Sequence, residues 1–445
     1  MASCNVKDDD NTSPHTHEGA PAAVLSPIAQ LKRSVLACLL WEDTFYEDGI
    51  DIADRIASLV PRCPAASVAE LAIKAREEGL LRHAPLLLLR ELLRHPEKPK
   101  VAPAIERVVQ RADEPPELLA MYWREGKRPL AKQLKLGLAA AMRKFDAYQL
   151  AKYDRANPVR LRDVLFLTHA RPVDAAQAET WRQLVDGTLP PPDTWEVGLS
   201  AGGDKKETFE RLLRERKLGY MALLRNLRNM VDAGVDEELV NDAILAGAAS
   251  SKALPFRYIS AARAAPSLEP TLDGAMLKAM ERMDPLPGRT CVLVDVSGSM
   301  SSRLSRRGAV SRIDAASALA ILVVAIAEQA RMFTFSDKVV EVPPRRGMAL
   351  ADAIWHSQPN SGTYLGEAIQ EVLSRGPFDR LIVITDEQSH DEVPEPPSGC
   401  KGYMVNVAAY KQGVGYGAWM HIDGFSESIV SYVQELEASA TSDFA

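Results

Sequence analysis

The stretch that decides the fold is Cys291–Met300, CVLVDVSGSM. An unbroken apolar run, Cys291-Val292-Leu293-Val294, ends abruptly in Asp295-Val296-Ser297-Gly298-Ser299-Met300. Apolar runs of this length, with no alternation, mark strands buried on both faces of a parallel sheet. The polar tail then leaves the strand's carboxyl end, where open α/β sheets place their ligand crevice. Asp295, Ser297 and Ser299 alternate, so one turn can aim three side-chain oxygens at a single point. Oxygen donors carrying little charge, with room left for water or a partner's carboxylate, suit Mg²⁺ better than zinc.

Alone, such a turn is only a polar loop; its neighbours give it meaning. Phe378-Asp379-Arg380 leads into a second apolar run, Leu381-Ile382-Val383-Ile384, which ends at Thr385-Asp386-Glu387. Between the two runs, Ser361-Gly362-Thr363-Tyr364-Leu365-Gly366 opens a helical stretch with a glycine-flanked threonine. The spacing predicts strands at 290–295, 331–335, 338–342, 380–385 and 402–408. Helices are predicted at 313–329, after Gly347, at 363–373 and at 426–436. Strands alternating with helices form a doubly wound parallel sheet. The set Asp295, Ser297, Ser299, Thr363 and Asp386 resembles the metal-ion-dependent adhesion site of von Willebrand factor A domains, with all five positions filled. That resemblance implies a divalent cation, Mg²⁺ or else Mn²⁺ or Ca²⁺, with an open coordination position for an acidic group of a partner.

The chain has 445 residues, 46% of them hydrophobic, enough for more than one core. A net charge of −7 excludes a uniformly basic surface but not a local basic patch. Cysteines at 4, 38, 63, 291 and 400 are odd in number and lack CxxC spacing, which argues against a disulfide framework or a zinc site. The acidic N-terminus does not read as a signal peptide, and the longest apolar stretch, 315–327, is too short for a membrane span and reads as a buried helix. A reducing cytoplasm and a monomer are the expectations, with no membrane partner.

Residues 1–24 are polar and expected to form a disordered tail. From 28 to 284 the apolar spacing is helical almost throughout, and prolines such as Pro61, Pro85, Pro103, Pro115 and Pro129 punctuate it at helix boundaries. Leu86–Leu89 is too apolar for a surface helix and should pack on both sides. Helix pairs of this kind bury their apolar faces by stacking into an α-solenoid, although no repeat period is legible. Pro285-Leu286-Pro287-Gly288 reads as the linker to the sheet domain.

Charge along the helical part is uneven. Residues 121–160 hold ten Lys/Arg against three acids, a net +7 in an acidic protein. A helix opening at Pro129 puts Leu134, Leu138 and Met142 on its core face and brings Lys132, Lys135 and Arg143 to one side. Tyr122, Trp123, Tyr148 and Tyr153 are interleaved with the cations, a mixture that suits phosphates and unstacked bases. A solvated basic face over core aromatics fits the same residues, and charge alone does not choose between them.

Several segments resemble the TROVE domain of the Ro autoantigen family. Leu31–Val60, LKRSVLACLLWEDTFYEDGIDIADRIASLV, is similar to its opening helix and turn; Asp163–Pro172, DVLFLTHARP, to its central segment; Tyr220–Met230, YMALLRNLRNM, to its "ALLRNL" line. The resemblance implies a HEAT-like repeat domain over 25–285 closing into a ring, joined to a von Willebrand factor A-like domain over 286–445. It implies Y-like small RNA on the outer surface, ends of misfolded RNA in the central hole, and a role in RNA quality control or maturation, with an exoribonuclease as a candidate partner. Matching positions for RNA contact are Lys152, Arg155 (on a one-residue shift) and His169, within the segment that ends Arg171-Pro172. With the charge reading, the candidate RNA surface is Lys132, Lys135, Arg143, Lys152, Arg155, His169 and Arg171. Arg225 and Arg228 on the ALLRNL helix, and Lys252, Arg257 and Arg263 near the end of the array, are further candidates for RNA or for solvent.

No catalytic constellation accompanies these residues. Ser297 and Ser299 lack a triad, and His390, shortly after Asp386, is the one candidate base beside the metal loop. A hydroxyl-rich donor set suits holding an acidic group more than activating water. The expected function is therefore a non-catalytic RNA-binding scaffold. The rival is a metal-dependent adaptor whose A domain engages an ATPase or nuclease and whose helical repeats bind protein. Arg303, Arg306, Arg307 and Arg312 follow the metal loop and read either as phosphate-attracting or as a surface loop.

Overall fold

The computed structural model describes residues 26–36, 49–79, 81–200, 203–251, 253, 255–304, 310–359, 361–408, 413–414, 417–423, 430, 433–434 and 437. The expected disordered tail, much of the 31–60 segment, Lys252, Arg306, Arg307 and most of the expected helix 426–436 lie outside them.

Sixteen helices precede the first strand among the described residues. They are α1 (Pro27–Leu36), α2 (Gly49–Leu59), α3 (Ala65–Glu77), α4 (His83–Leu92), α5 (Ala102–Val108), α6 (Glu114–Tyr122), α7 (Lys132–Met142) and α8 (Ala147–Tyr153). There follow α9 (Leu161–Thr168), α10 (Ala175–Asp186), α11 (Trp195–Ser200), α12 (Lys205–Arg214), α13 (Tyr220–Asp232), α14 (Glu237–Ala248), α15 (Pro255–Ala264) and α16 (Glu269–Met280). Pro103, Pro115 and Pro116 sit in first turns, where the missing N–H costs no helical bond. Leu86 to Leu89 are all buried, as a helix packed on both sides requires. Alternate helices stack: α3 on α5, α5 on α7 and α7 on α9 in one row, α2 on α4 and α4 on α6 in the other. This two-row stack is the solenoid the helix pairs implied. It also supplies the period the sequence hid, since α2, α4, α6 and α8 begin at Gly49, His83, Glu114 and Ala147, 31 to 34 residues apart.

The sheet has six strands in the order β3-β2-β1-β4-β5-β6. These are β1 (Leu286–Asp295), β2 (Ala327–Phe335), β3 (Val339–Val342), β4 (Arg380–Thr385), β5 (Lys401–Asn406) and β6 (Met420–Asp423). All neighbours are parallel except β2 and β3, whose short connection permits only a hairpin, so the sheet is mixed rather than wholly parallel. Helices α17 (Arg312–Ile326), α18 (Gly347–Trp355) and α19 (Leu365–Ser374) complete the domain. Val292, Val294, Ile382 and Ile384 share one core cluster with α17, while Cys291, Leu293, Leu381 and Val383 share another with α19, so helices cover both faces. Several boundaries differ from expectation: the helix expected at 313–329 stops at Ile326, where β2 begins at Ala327, and β6 falls in a stretch for which no strand was expected. The stretch read as a linker already belongs to β1, because Leu286 pairs with Ala327 and is buried, with a register shift before Arg289 that accommodates Pro287 and Gly288. The helix expected to start at Pro129 starts at Lys132, after an extended Ala131.

Three cores result. One joins α1 to α10, through Leu184. The second runs without interruption from Phe209 on α12 through Tyr258 on α15 into one face of the sheet, and the third lies under the other face. The first helix also meets the sheet domain: Arg33 of α1 pairs with Glu387, just after β4, and both side chains are fully buried. Among the described residues no helix is long and apolar enough to cross a membrane, and Cys63, Cys291 and Cys400 are free.

Candidate metal centre and nucleic-acid surface

The candidate metal site lies where the turns leaving the carboxyl ends of β1 and β4 meet the turn that precedes α19. β1 ends at Asp295, whose Oδ1 accepts from the Ser297 N–H at 2.8 Å and whose Oδ2 accepts from the Thr385 hydroxyl at 2.6 Å. The Ser297 and Ser299 hydroxyls lie 3.2 Å apart, and Ser299 donates to Asp386 Oδ2 at 2.7 Å. The Thr363 turn is drawn alongside by the Gly298 N–H, which donates to the Ser361 carbonyl at 3.3 Å. His390 fixes that turn from the other side. Its N–H donates to the Thr363 carbonyl at 2.9 Å, its Nδ1 lies 3.2 Å from the Thr363 amide, and its ring stacks on Tyr364. His390 thus supports the loop rather than standing free as a base.

Asp295 and Asp386 are both fully buried. Burial, and then the neighbouring Asp386 carboxylate, push the Asp295 carboxyl well above the usual range. Two buried carboxylates that repel each other, flanked by hydroxyls, create a demand for positive charge that hard cations meet with oxygen ligands. The donor set therefore fits the implied divalent ion. Arg312, read from the sequence as phosphate-attracting or as part of a surface loop, is instead the buried first residue of α17, and its Nη1 donates to Asp386 Oδ2 at 3.1 Å. Its companions in the reading divide: Arg303 forms an isolated bridge with Ser311, and Arg306 and Arg307 lie outside the described residues.

The candidate RNA residues fall into three sets: Arg143, His169 and Arg171; Lys152 and Arg155; and Lys132 and Lys135. Arg143, capping the end of α7, donates from Nε to the Arg171 carbonyl at 2.9 Å, and Gln177 of α10 donates to the Arg143 carbonyl at 2.9 Å. His169 ends α9 in the left-handed conformation, φ 54°, and His169, Arg171 and Arg143 are all exposed. On α8, the half-buried Lys152 lies 5.8 Å from the exposed Tyr148 ring and 5.9 Å from Tyr153, and Arg155 follows in an exposed turn. Lys132 stands at the opposite end of α7 from Arg143, about 16 Å along the axis, so coincidence in angle does not make them one contact. Lys135 lies half-buried near that same end. Several other basic and aromatic residues of 121–160 are structural: Lys144 caps the Glu106 and Val109 carbonyls, Arg128 lies on Tyr122, and Tyr122 is buried. Phe166, 61% exposed on α9, is an aromatic the charge pattern did not single out. Arg263 is bound to Asp314 at 2.5 Å, while burial and then Arg225 lower the Arg257 guanidinium below its ordinary range. Arg228 donates to the Ala264 carbonyl at 3.3 Å.

Family models match this chain in two overlapping segments: the TROVE domain over residues 186–307 and the Ro60 vWA domain over 289–408. The chain belongs to the Ro family. A crystal structure of the Ro (RSR) protein of Deinococcus radiodurans superposes with a TM-score of 0.62 at 20% identity, covering 91% of this chain and 97% of that one, and shares its fold. Telomerase protein component 1 of Rattus norvegicus is 29% identical over 120 residues, 26% of this chain, and that of Mus musculus 33% over 107 residues, 23% of this chain. The chain spans about 4% of the length of these relatives. The five candidate metal-site residues fall inside the Ro60 vWA match; the candidate RNA residues from Lys132 to Arg171 precede the TROVE match, and the further candidates Arg225, Arg228, Lys252, Arg257 and Arg263 fall within it. The Ro-family segment Tyr220–Met230 is helix α13, with Leu223, Leu224, Leu227 and Met230 buried and Arg225 and Arg228 exposed.

Proposed function

We propose that this Ro-family chain is a non-catalytic RNA-binding scaffold. It holds a small structured, Y-like RNA on its helical array and single-stranded ends of misfolded RNA, in RNA quality control or maturation. The observation that carries the reading is the Arg143–Arg171 contact, which gathers Arg143, His169 and Arg171 on one exposed surface of the array. The Arg143 guanidinium, held by the Arg171 carbonyl, can meet a phosphate at little entropic cost, and the exposed rings of Tyr148 and Phe166 offer stacking faces to unpaired bases. Lys132, Lys135, Lys152 and Arg155 extend the cationic surface. The array closes into a ring where Arg33 meets Glu387, leaving a central hole for RNA ends. In the A domain, Asp295, Ser297, Ser299, Thr363 and Asp386 hold Mg²⁺, Mn²⁺ or Ca²⁺. The bound ion supplies a Lewis-acidic position for a carboxylate from a protein partner such as an exoribonuclease.

The test is a salt-titrated binding assay with a structured RNA bearing a single-stranded 3′ tail, using wild type and Lys152→Glu/His169→Ala. Each neutralised phosphate releases counterions, so affinity should fall steeply as salt rises, and the variant should bind at least about tenfold more weakly with a shallower slope. Absence of binding even at low salt removes the RNA reading and leaves a metal-dependent adaptor. Binding that the double variant leaves unchanged moves the RNA surface elsewhere on the array.

A further inference from the structure

The Asp386 carboxylate already has a cation. Arg312 reaches it from the first turn of α17, and its guanidinium shares the Oδ2 atom with the Ser299 hydroxyl. This is a built contact, not a drifting surface arginine: Arg312 is 3% exposed, and its backbone N–H donates to the Ser302 carbonyl at 2.9 Å. The helix start that delivers it is pinned as well. Ser311 and Asp314 form a reciprocal cap, the Trp355 indole donates to Asp314 Oδ1 at 3.2 Å, and Arg263 from α15 holds Asp314 Oδ2 at 2.5 Å. A charge carried to this position by three separate contacts is placed there by the fold.

From this we infer that Arg312 is a tethered counter-cation of the metal centre. It neutralises Asp386 when no ion is bound, and a divalent cation competes with it for the same carboxylate oxygen. The inference rests on the proposed metal site. A buried carboxylate pair without a cation carries a large desolvation cost, and a guanidinium on one oxygen lowers it. An arriving divalent ion must then tolerate a fixed positive charge within a few ångströms or push it aside, so its affinity is reduced in either case. Arg312 therefore lets the A domain hold its shape without metal and tunes the ion concentration at which the site fills. The ion bound against this resistance, and the displaced guanidinium beside it, together present two positive groups to an incoming acidic partner.

The experiment compares wild type, Arg312→Gln and Asp386→Asn in the full-length chain with Mn²⁺ as the probe. Free Mn²⁺ is counted by electron paramagnetic resonance, and melting temperature is recorded in EDTA and in Mn²⁺. R312Q should bind Mn²⁺ at least about tenfold more tightly than wild type, a ratio equivalent to about 1.4 kcal/mol. It should also melt lower than wild type in EDTA and recover in Mn²⁺, while wild type responds little. A purely structural arginine predicts a lower melting temperature in both conditions with no gain in affinity. Equal or weaker Mn²⁺ binding by R312Q, lost in D386N, overturns the competition while leaving the metal site in place. No binding by wild type or R312Q overturns the metal site and the competition with it.

Discussion

The two halves of the helical array are held to their surroundings by different forces. Helices α12 to α16 share one continuous apolar core with α17 and the sheet, from Phe209 and Tyr258 to Val294 and Ile384. Helices α1 to α10 keep a core of their own, and the described contact of α1 with the sheet domain is made by charge, Arg33 against Glu387, with His421 2.5 Å from the same carboxylate. Burial opposes charge on Glu387, yet Arg33 and then His421 hold its carboxyl well below the usual range. Apolar contact is strong and indifferent to geometry, whereas a buried ion pair holds only while its geometry is kept and gains nothing once it opens. The molecule is therefore welded along one seam and latched along the other. The latch sits one residue from Asp386, with Glu387 in the left-handed conformation at φ 59°.

The largest effect should come from cutting the weld. Tyr258 is fully buried on α15 and packs against Tyr220 at 6.2 Å between ring centroids. Tyr258→Ala leaves a large cavity and should cost about 3–5 kcal/mol. Because the core is continuous, urea unfolding followed by a sheet probe and by a helix α13 probe should shift together. Separate transitions, with the sheet unmoved, would mean that the seam is only a surface of contact.

Opening the latch should cost less and change shape more. Arg33→Ala strips Glu387 of its main partner and leaves His421 to face the buried carboxylate, a loss on the order of 1–3 kcal/mol. X-ray scattering should show a larger radius of gyration, and hydrogen exchange should quicken in α1 while α15 and α17 stay protected. An unchanged scattering profile would show that apolar contacts hold α1 as firmly as they hold α15.

The same contrast explains what was legible beforehand. The sheet domain was legible because its central strands are apolar on both faces, and the candidate metal loop follows one of them directly, so both patterns fall within Cys291–Met300. The solenoid was legible as helices but not as a repeat. Equivalent joints between successive repeats are made by unlike groups: Arg76 to the Val108 carbonyl, Lys144 to the Val109 carbonyl, the Ala102 amide to Gln133, the Ala65 amide to Glu97. A backbone carbonyl accepts from any donor, so geometry repeats while residue identity does not. Arg312 and Glu387 were missed as structural charges for the opposite reason. Each sits beside a recognisable motif, but its partner comes from far along the chain, 74 residues away for Arg312 and 354 for Glu387. In the basic stretch 121–160 a count of cations does not separate Lys144, which donates to the Glu106 and Val109 carbonyls, from Lys132 at the start of α7.

The smallest effect sharpens the comparison from the first half. Gln177 donates to the Arg143 carbonyl and accepts from the Val173 N–H at 3.1 Å, stitching α10 to the end of α7 at an exposed edge. Gln177→Ala removes both bonds where water can replace them, so the loss should be about 0.5–1.5 kcal/mol. It should appear only in the transition of helices α1 to α10, leaving the sheet transition where it was, because the two cores are separate. RNA affinity should fall at most a few fold, since Arg143 keeps its own bond to Arg171. A shift of both transitions by the same amount would show that the latch at Arg33 transmits stability between the halves, and that the array unfolds as one body despite its divided core.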